Sequence, residues 1–228
     1  MTEVTTHQPH QPGQTGLTVL LMHSAYGLRP PVLDAARTLE RHGHRVIVPD
    51  LYYGTPVASP EGGLALRDRI GLPELLSRAR RESQAMGARR VYAGFSLGAW
   101  LAQQLANNDP DAAGLLLLHG LSAPPGRPRD RPLPVQLHLG SQDVSHMPWL
   151  RDWQVSVRRT GHLLQTYIYP DTAHLFTDTH HSDHSAAATA AAWQRSLSFL
   201  AALVTHTNSS ADSFSRGSAM TRRPEGAA

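Results

Sequence analysis

The sequence contains no cysteine, and this absence removes several chemistries. Without a thiol among 228 residues, disulfide scaffolds, thiolate zinc sites, iron–sulfur centres and cysteine nucleophiles are excluded. Lysine is also absent, so the 21 cationic side chains are all arginine. A formal net charge of +3 with 17% charged residues is too weak a signal to indicate a nucleic-acid-binding surface. No nucleic-acid partner is therefore expected.

Long apolar runs are missing too. The longest ones, such as residues 115–118, fall far short of the roughly 20 apolar residues that a membrane-spanning helix needs. Residues 1–16 lack the charged start and apolar stretch of a signal peptide. We expect a soluble, cytoplasmic protein, monomeric or weakly dimeric, without a membrane partner. Composition predicts one domain over residues 17–204, between a disordered leader (1–16) and a disordered tail (205–228).

Short apolar runs alternate along this domain with longer segments of helical periodicity. Such alternation predicts crossover units, and hence a single α/β domain whose mostly parallel central sheet carries helices on both faces. Ligands in these sheets collect beyond the carboxyl ends of the strands, so the residues that follow each strand are functional candidates. The predicted strands are 17–22, 45–48, 90–93, 114–118, 135–139 and 164–169, and the predicted helices are 31–42, 72–86, 97–107, 147–160 and 185–204.

The segment Gly94-Phe95-Ser96-Leu97-Gly98 stands between a predicted strand and a predicted helix. This G-x-S-x-G pattern in that context is typical of a nucleophile elbow. The turn is so tight that a Cβ atom at either glycine would collide with the strand or the helix. It exposes the serine at the positive end of the following helix. Ser96 is therefore the predicted nucleophile, and the alternative is a glycine-rich turn in which the serine caps the helix.

A serine nucleophile needs a histidine base, and the histidine needs a carboxylate that fixes its tautomer. In α/β-hydrolases the acid and the histidine follow the serine along the chain, each on a loop after a later strand. Asp143 and His174 occupy those two positions. A turn-forming or helix-capping aspartate and a surface loop histidine are the alternatives.

The first loop, His23-Ser24-Ala25-Tyr26-Gly27, is the expected source of one oxyanion donor. In this architecture the hole uses the amide after the nucleophile, here Leu97, and one amide of the loop after the first core strand. We predict Ala25 as the second donor, with Ser24 as the next choice. The predicted walls of the substrate pocket are Ser24, Tyr26, Tyr52, Phe95, His119 and Trp149.

These segments together resemble the dienelactone hydrolase family. The resemblance covers residues 17–204 and implies a compact α/β-hydrolase without a large lid, without a metal or cofactor, that hydrolyses an ester or a lactone. The segments that carry it are HSAYG (23–27), PDLYYG (49–54), GFSLG (94–98), GSQD (140–143) and YPDTAHLF (169–176).

Three positions depart from the family pattern. The usual nucleophile of the family is cysteine, whereas this chain has Ser96. A glutamate that helps to control the thiol is replaced by Ser24, which agrees with the loss of the thiol. An arginine four residues after the histidine grips the substrate carboxylate in dienelactone-type enzymes, and here that position is Asp178. The resemblance therefore implies a neutral or differently placed substrate.

The sequence thus predicts a serine hydrolase that cleaves a small ester or lactone through an acyl-enzyme. The alternative is a catalytically silent hydrolase-fold protein that binds a small molecule, because the fold also serves inactive relatives. A metal site among residues 180–184 (HHSDH) is disfavoured, since adjacent histidines point apart on a regular backbone. The arginine clusters at 78–81 and 127–131 lack interleaved aromatic residues, so a solvated surface is favoured there.

Overall fold

The computed structural model describes residues 16–124 and 128–218, with side chains as far as residue 205. Its strands are β1 (Thr18–Met22), β2 (Arg45–Ile47), β3 (Arg90–Phe95), β4 (Ala112–Leu118), β5 (Pro134–Gly140) and β6 (Leu163–Tyr169). They form one sheet in the order β2-β1-β3-β4-β5-β6, and every neighbouring pair is parallel. The predicted α/β class with a parallel central sheet is confirmed.

Helices cover both faces of this sheet. They are α1 (Pro30–Arg41), α2 (Pro60–Ile70), α3 (Leu72–Ser83), α4 (Leu97–Asn107), α5 (Ser141–Ser145), α6 (Leu150–Arg159) and α7 (Ala186–Ser218). Apolar side chains of α1 and α7 pack on one face, and those of α2, α3, α4 and α6 pack on the other. The central strands are accordingly buried on both sides, which explains why β1 and the end of β4 are continuous apolar runs.

The helices differ from the predicted ones at α2, at the single turn α5, which was not predicted, and at the start of α6. Helix α2 was not predicted, because two glycines interrupt its apolar periodicity. Its start signals are nevertheless present: Ser59 accepts a hydrogen bond from the Gly62 N–H at 3.1 Å, and Pro60 occupies the first turn. Helix α6 begins at Leu150 rather than at residue 147.

The two chain ends are described only in part. Helix α7 continues to Ser218, past the predicted domain boundary at residue 204, and the disordered tail from residue 205 stays a prediction. Apart from Gly16, the predicted leader lies outside the described residues, as do residues 219–228. No helix in the described ranges is both long enough and apolar enough to cross a membrane.

The strand order positions the functional loops. The chain runs from β1 outward to β2 and then returns to β3 on the other side of β1, so the sheet has its switch point between β1 and β3. Crevices at such points bind ligands in open α/β sheets. The register pairs Met22 with Gly94 and Phe95 with Leu118. The loops after β1, β3 and β4 therefore leave the same edge of the sheet together.

Candidate active site

Ser96 lies in the sharp turn between β3 and α4. Its backbone has φ 52° and ψ −108°, a region that L-residues occupy only under strain. Its N–H donates to the carbonyl of Leu118 at 2.8 Å. A Cβ atom on Gly98 would lie 2.7 Å from the carbonyl oxygen of His23, and one on Gly94 would lie 2.8 Å from a backbone nitrogen of α4. Both glycines are thus required by close backbone approach, as the elbow pattern predicts.

Three of the predicted site residues form a continuous chain of hydrogen bonds. Ser96 Oγ lies 2.8 Å from His174 Nε2. On the other side of the ring, His174 Nδ1 lies 2.9 Å from Asp143 Oδ1. A carboxylate at Nδ1 favours the tautomer that carries its proton there, which leaves Nε2 able to accept a proton from the serine. The histidine side chain is 43% exposed and the aspartate side chain 13%, so the histidine is accessible while its partner is largely shielded.

Backbone contacts hold Asp143 and His174 in place. Asp143 lies in the one-turn helix α5, directly after β5, and His174 lies in the loop after β6 that we call the base loop (residues 170–179). The Gln142 N–H donates to the carbonyl of Thr172 at 3.1 Å. A Cβ atom on Gly140 would come within 2.6 Å of a carbonyl oxygen of the base loop. The two loops therefore touch through their main chains, which fixes the distance between the acid and the histidine.

The two predicted oxyanion donors follow neighbouring strands. Leu97 is the first residue of α4, and the first N–H groups of a helix have no acceptor within the helix. Ala25 lies in the loop after β1, which we call the first loop (residues 23–29). That loop is shaped by Ser24, whose carbonyl accepts from the Gly27 N–H at 3.1 Å and whose Oγ accepts from the Tyr26 N–H at 3.3 Å. An oxyanion next to Ser96 would also face the positive end of α4.

His23 is a supporting residue that the sequence did not single out. It is fully buried. One ring nitrogen, Nδ1, donates to the Ser24 carbonyl at 2.7 Å, and Nε2 accepts from the Leu51 N–H at 3.1 Å. Burial lowers its pKa, so the neutral ring that both hydrogen bonds require is favoured. This histidine therefore fixes the first loop against the segment after β2.

His119 lies beside the histidine of the hydrogen-bonded chain but is unsuited to act as the base. Its ring centroid is 6.2 Å from that of His174, and its Nε2 is 2.6 Å from Thr177 Oγ1. Burial, followed by the nearby His174 and His138, holds its pKa well below the usual value. A ring with so low a pKa and a hydroxyl rather than a carboxylate as its partner is a poor proton acceptor at neutral pH.

A polar network joins the first loop to the base loop and its continuation. The Tyr26 hydroxyl is 3.0 Å from His181 Nε2, and the Arg29 guanidinium pairs with the Asp178 carboxylate at 2.9 Å. Arg29 also lies over the Tyr26 ring at 4.9 Å. Asp183 accepts a hydrogen bond from the backbone of the base loop. Sequence reasoning missed this network because its partners lie far apart along the chain, although the resemblance had marked position 178 as unusual.

Three of the predicted pocket walls line a cavity of about 190 Å³ between α1 and α7: Ser24, Phe95 and His119. The other predicted walls lie elsewhere. Tyr52 is buried in the core beneath α2, and Tyr26 belongs to the network described above. Trp149 is 46% exposed and lines a shallow depression with Trp100 and Trp153.

The residues around the histidine-rich segment do not form a metal centre. Within the described ranges, no three histidine or acidic side chains are arranged so that they could hold a metal ion. In that segment His181 instead accepts a hydrogen bond from the Asp183 N–H at 3.1 Å and contacts the Tyr26 hydroxyl. Both ring nitrogens of His181 are therefore occupied by contacts within and between the loops.

Several solved structures share the fold of this chain. A dienelactone hydrolase of Anabaena variabilis shares 20% identity and a TM-score of 0.55, covering 79% of this chain and 86% of its own. A dienelactone hydrolase-like promiscuous phosphotriesterase from metagenomic libraries shares 18% identity and a TM-score of 0.69, covering 82% and 86%. A thermophilic esterase of Thermogutta terrifontis shares 13% identity and a TM-score of 0.61, covering 84% and 83%. At these identities the likeness establishes the fold.

The family assignment comes from a different comparison. The sequence has no match among the curated proteins. The model of the dienelactone hydrolase family, in contrast, matches residues 3–204, which is most of the chain and includes every residue of the candidate site. This match supports a role as a hydrolytic enzyme, and the chain belongs to the dienelactone hydrolase family.

Proposed function

We propose that the protein is a serine hydrolase that cleaves a small ester or lactone through an acyl-enzyme. The observation that carries the proposal is the unbroken hydrogen-bonded chain from Ser96 Oγ through His174 to Asp143, with distances of 2.8 and 2.9 Å. The strained backbone of Ser96 adds support, since strain of this kind is retained where it positions a reacting group.

Each group has one role in the reaction. Ser96 Oγ attacks the carbonyl carbon while His174 Nε2 takes the serine proton, and Asp143 stabilises the imidazolium that forms. The resulting oxyanion lies between the N–H groups of Leu97 and Ala25. When the tetrahedral intermediate collapses, the carbon–oxygen bond to the alcohol breaks and His174 returns the proton to that oxygen. Water, activated by the same histidine, then releases the acid and restores the serine.

Because the proposed nucleophile is a serine, the reaction depends on a neighbouring base. A hydroxyl is far less acidic than a thiol, so it is a weak nucleophile until a neighbouring base removes its proton. His174 is placed to do so, whereas the pKa of His119 is held too low by burial. We therefore assign general-base catalysis to His174 alone.

Covalent labelling tests the proposal directly. A fluorophosphonate should label the folded wild-type protein at one site, identified by peptide mass spectrometry as Ser96. The variants Ser96→Ala and His174→Ala should not be labelled, while Ser122→Ala, which changes a buried serine outside the chain of hydrogen bonds, should be labelled as the wild type is. Folded wild-type protein that resists labelling would refute the proposal and favour a catalytically silent binding protein.

A further inference from the structure

The ring of His174 contacts Ser96 and Asp143, but the main chain that carries this ring lies in the base loop rather than in a helix or a strand. The next residue along the chain, Leu175, donates its N–H to Asp183 Oδ2 at 3.1 Å. We propose that Asp183 is a positioning residue, which acts through this hydrogen bond to hold the histidine ring between the serine and the acid. The inference rests on the proposed function, because it concerns the base of the same site.

The hydrogen bond to Asp183 supports the part of the base loop that carries the histidine. Among the described residues, the main chain of residues 173–175 has no other hydrogen bond to a partner outside the base loop. On either side of this segment, the carbonyls of Thr172 and Phe176 accept main-chain N–H groups from α5 and from the residue before α7, at 3.1 and 3.0 Å. Those two bonds do not involve Asp183. Loss of its carboxylate should therefore loosen the histidine while the loop keeps its fold.

Asp183 is itself held in place by its neighbours. Its N–H donates to His181 Nδ1 at 3.1 Å, so the neutral ring of His181 carries its proton on Nε2. That nitrogen lies 3.0 Å from the Tyr26 hydroxyl, and Tyr26 directly follows Ala25, the proposed second oxyanion donor. The carboxylate is therefore connected to the loop that carries the donor as well as to the loop that carries the base.

The proposed role depends on where the acceptor oxygen lies rather than on its negative charge. Oδ2 of Asp183 accepts the Leu175 N–H, whereas Oδ1 lies 3.4 Å from His181 Nδ1. Asparagine keeps a carbonyl oxygen for the Leu175 N–H and loses the charge. Glutamate keeps the charge and displaces both oxygens by one methylene. Because a displacement of about 1 Å can lower a rate about 100-fold, these two substitutions separate position from charge.

Steady-state kinetics with p-nitrophenyl acetate test the inference. Asp183→Ala and Asp183→Glu should each lower kcat by about tenfold to 100-fold. KM should stay within about threefold, because His174 acts in both acylation and deacylation. Asp183→Asn should keep kcat within about threefold of the wild type, as should the control Ser182→Ala, which changes the exposed residue one position earlier. Melting temperatures identify the folded variants, and Asp183→Glu carries the test if Asp183→Ala does not fold. Wild-type kcat in either variant, or an equal loss in Asp183→Asn, would overturn the inference.

A spectroscopic readout that needs no turnover separates this inference from the proposed function. In nitrogen-15 NMR spectra, the ring of His174, assigned through its loss in His174→Ala, should carry its proton on Nδ1, because Asp143 favours that tautomer. Asp183→Asn and Ser182→Ala should keep this tautomer, whereas Asp183→Ala and Asp183→Glu should give a mixture of both. If the tautomer is unchanged in folded Asp183→Ala, the positioning role is wrong even where Ser96 is labelled and esters are hydrolysed. If the tautomer responds as expected while Ser96 resists labelling, the positioning of the ring stands and the proposed function is wrong.

Discussion

Replacing Asp143 by asparagine tests the hydrogen-bonded chain selectively, because the substitution removes a charge and keeps the volume. Oδ1 lies 2.9 Å from His174 Nδ1, and the positive charge that forms on the ring is stabilised by this carboxylate. Two unit charges about 4 Å apart attract by about 4 kcal/mol at an effective dielectric constant of about 20, which is about a thousandfold in rate. The histidine is 43% exposed, so solvent screening brings the expected loss into the range of about 100-fold to 1000-fold.

The assay is hydrolysis of p-nitrophenyl acetate, with kcat/KM measured for each purified variant and its melting temperature recorded. Asp143→Asn should lose less activity than Ser96→Ala or His174→Ala, each of which removes a group that takes part in bond making or proton transfer. Asp171→Asn is the matched control, because Asp171 is an exposed carboxylate only three residues from the histidine. An Asp143→Asn variant that keeps more than about a tenth of wild-type activity, or an Asp171→Asn variant that loses as much, would refute the assignment of the acid.

Three further outcomes follow from the fold. Gly98→Ala should lower the free energy of unfolding by about 1–3 kcal/mol or more in urea, since its Cβ would overlap backbone atoms, whereas Gly87→Ala, with no atom within 4 Å, should not. A double-mutant cycle with Arg29→Met and Asp178→Asn should give a coupling free energy of about 1 kcal/mol, because the pair is mostly shielded from solvent; strict additivity would contradict the contact. Burial holds the pKa of His138 at about 3, below the usual value near 6.5, so the unfolded chain binds the extra proton first as the pH falls. The free energy of unfolding should therefore drop between pH 6.5 and 3, by about 1.4 kcal/mol per pH unit from this group, and a flat profile in urea titrations would contradict it.

The sequence could predict what depends on neighbours along the chain. The alternation of apolar runs and helical periods predicts the parallel sheet, and the five residues around Ser96 predict the tight turn that the structure contains. Chain order also led to Asp143 and His174, which follow β5 and β6 in the structure. Helix α2 escaped prediction because Gly62 and Gly63 break its apolar periodicity, although Ser59 signals its start. Local pattern is thus sufficient for the strands and for the turn at the nucleophile.

The remaining features depend on partners that no local pattern connects. Arg29 and Asp178 are 149 positions apart, and Tyr26 and His181 are 155 apart. The sequence near each of these residues therefore does not indicate its partner. The cavity is likewise formed by helices from opposite ends of the chain, α1 and α7. The position of Tyr52 after the second strand likewise gave no sign that the residue is only 2% exposed and lies in the core.

Ser24 and Asp178, two of the departures from the family pattern, both make contacts that hold the loops of the candidate site. Where the resemblance places a glutamate that controls the thiol, Ser24 uses its hydroxyl to accept the Tyr26 N–H within the first loop. Where it places a substrate-binding arginine, Asp178 pairs with Arg29 and so joins the first loop to the base loop. Both positions therefore serve to hold the loops that carry Ala25 and the histidine. Neither position carries a cation, so the proposed hydrolysis is expected to act on an uncharged ester rather than on an anionic lactone.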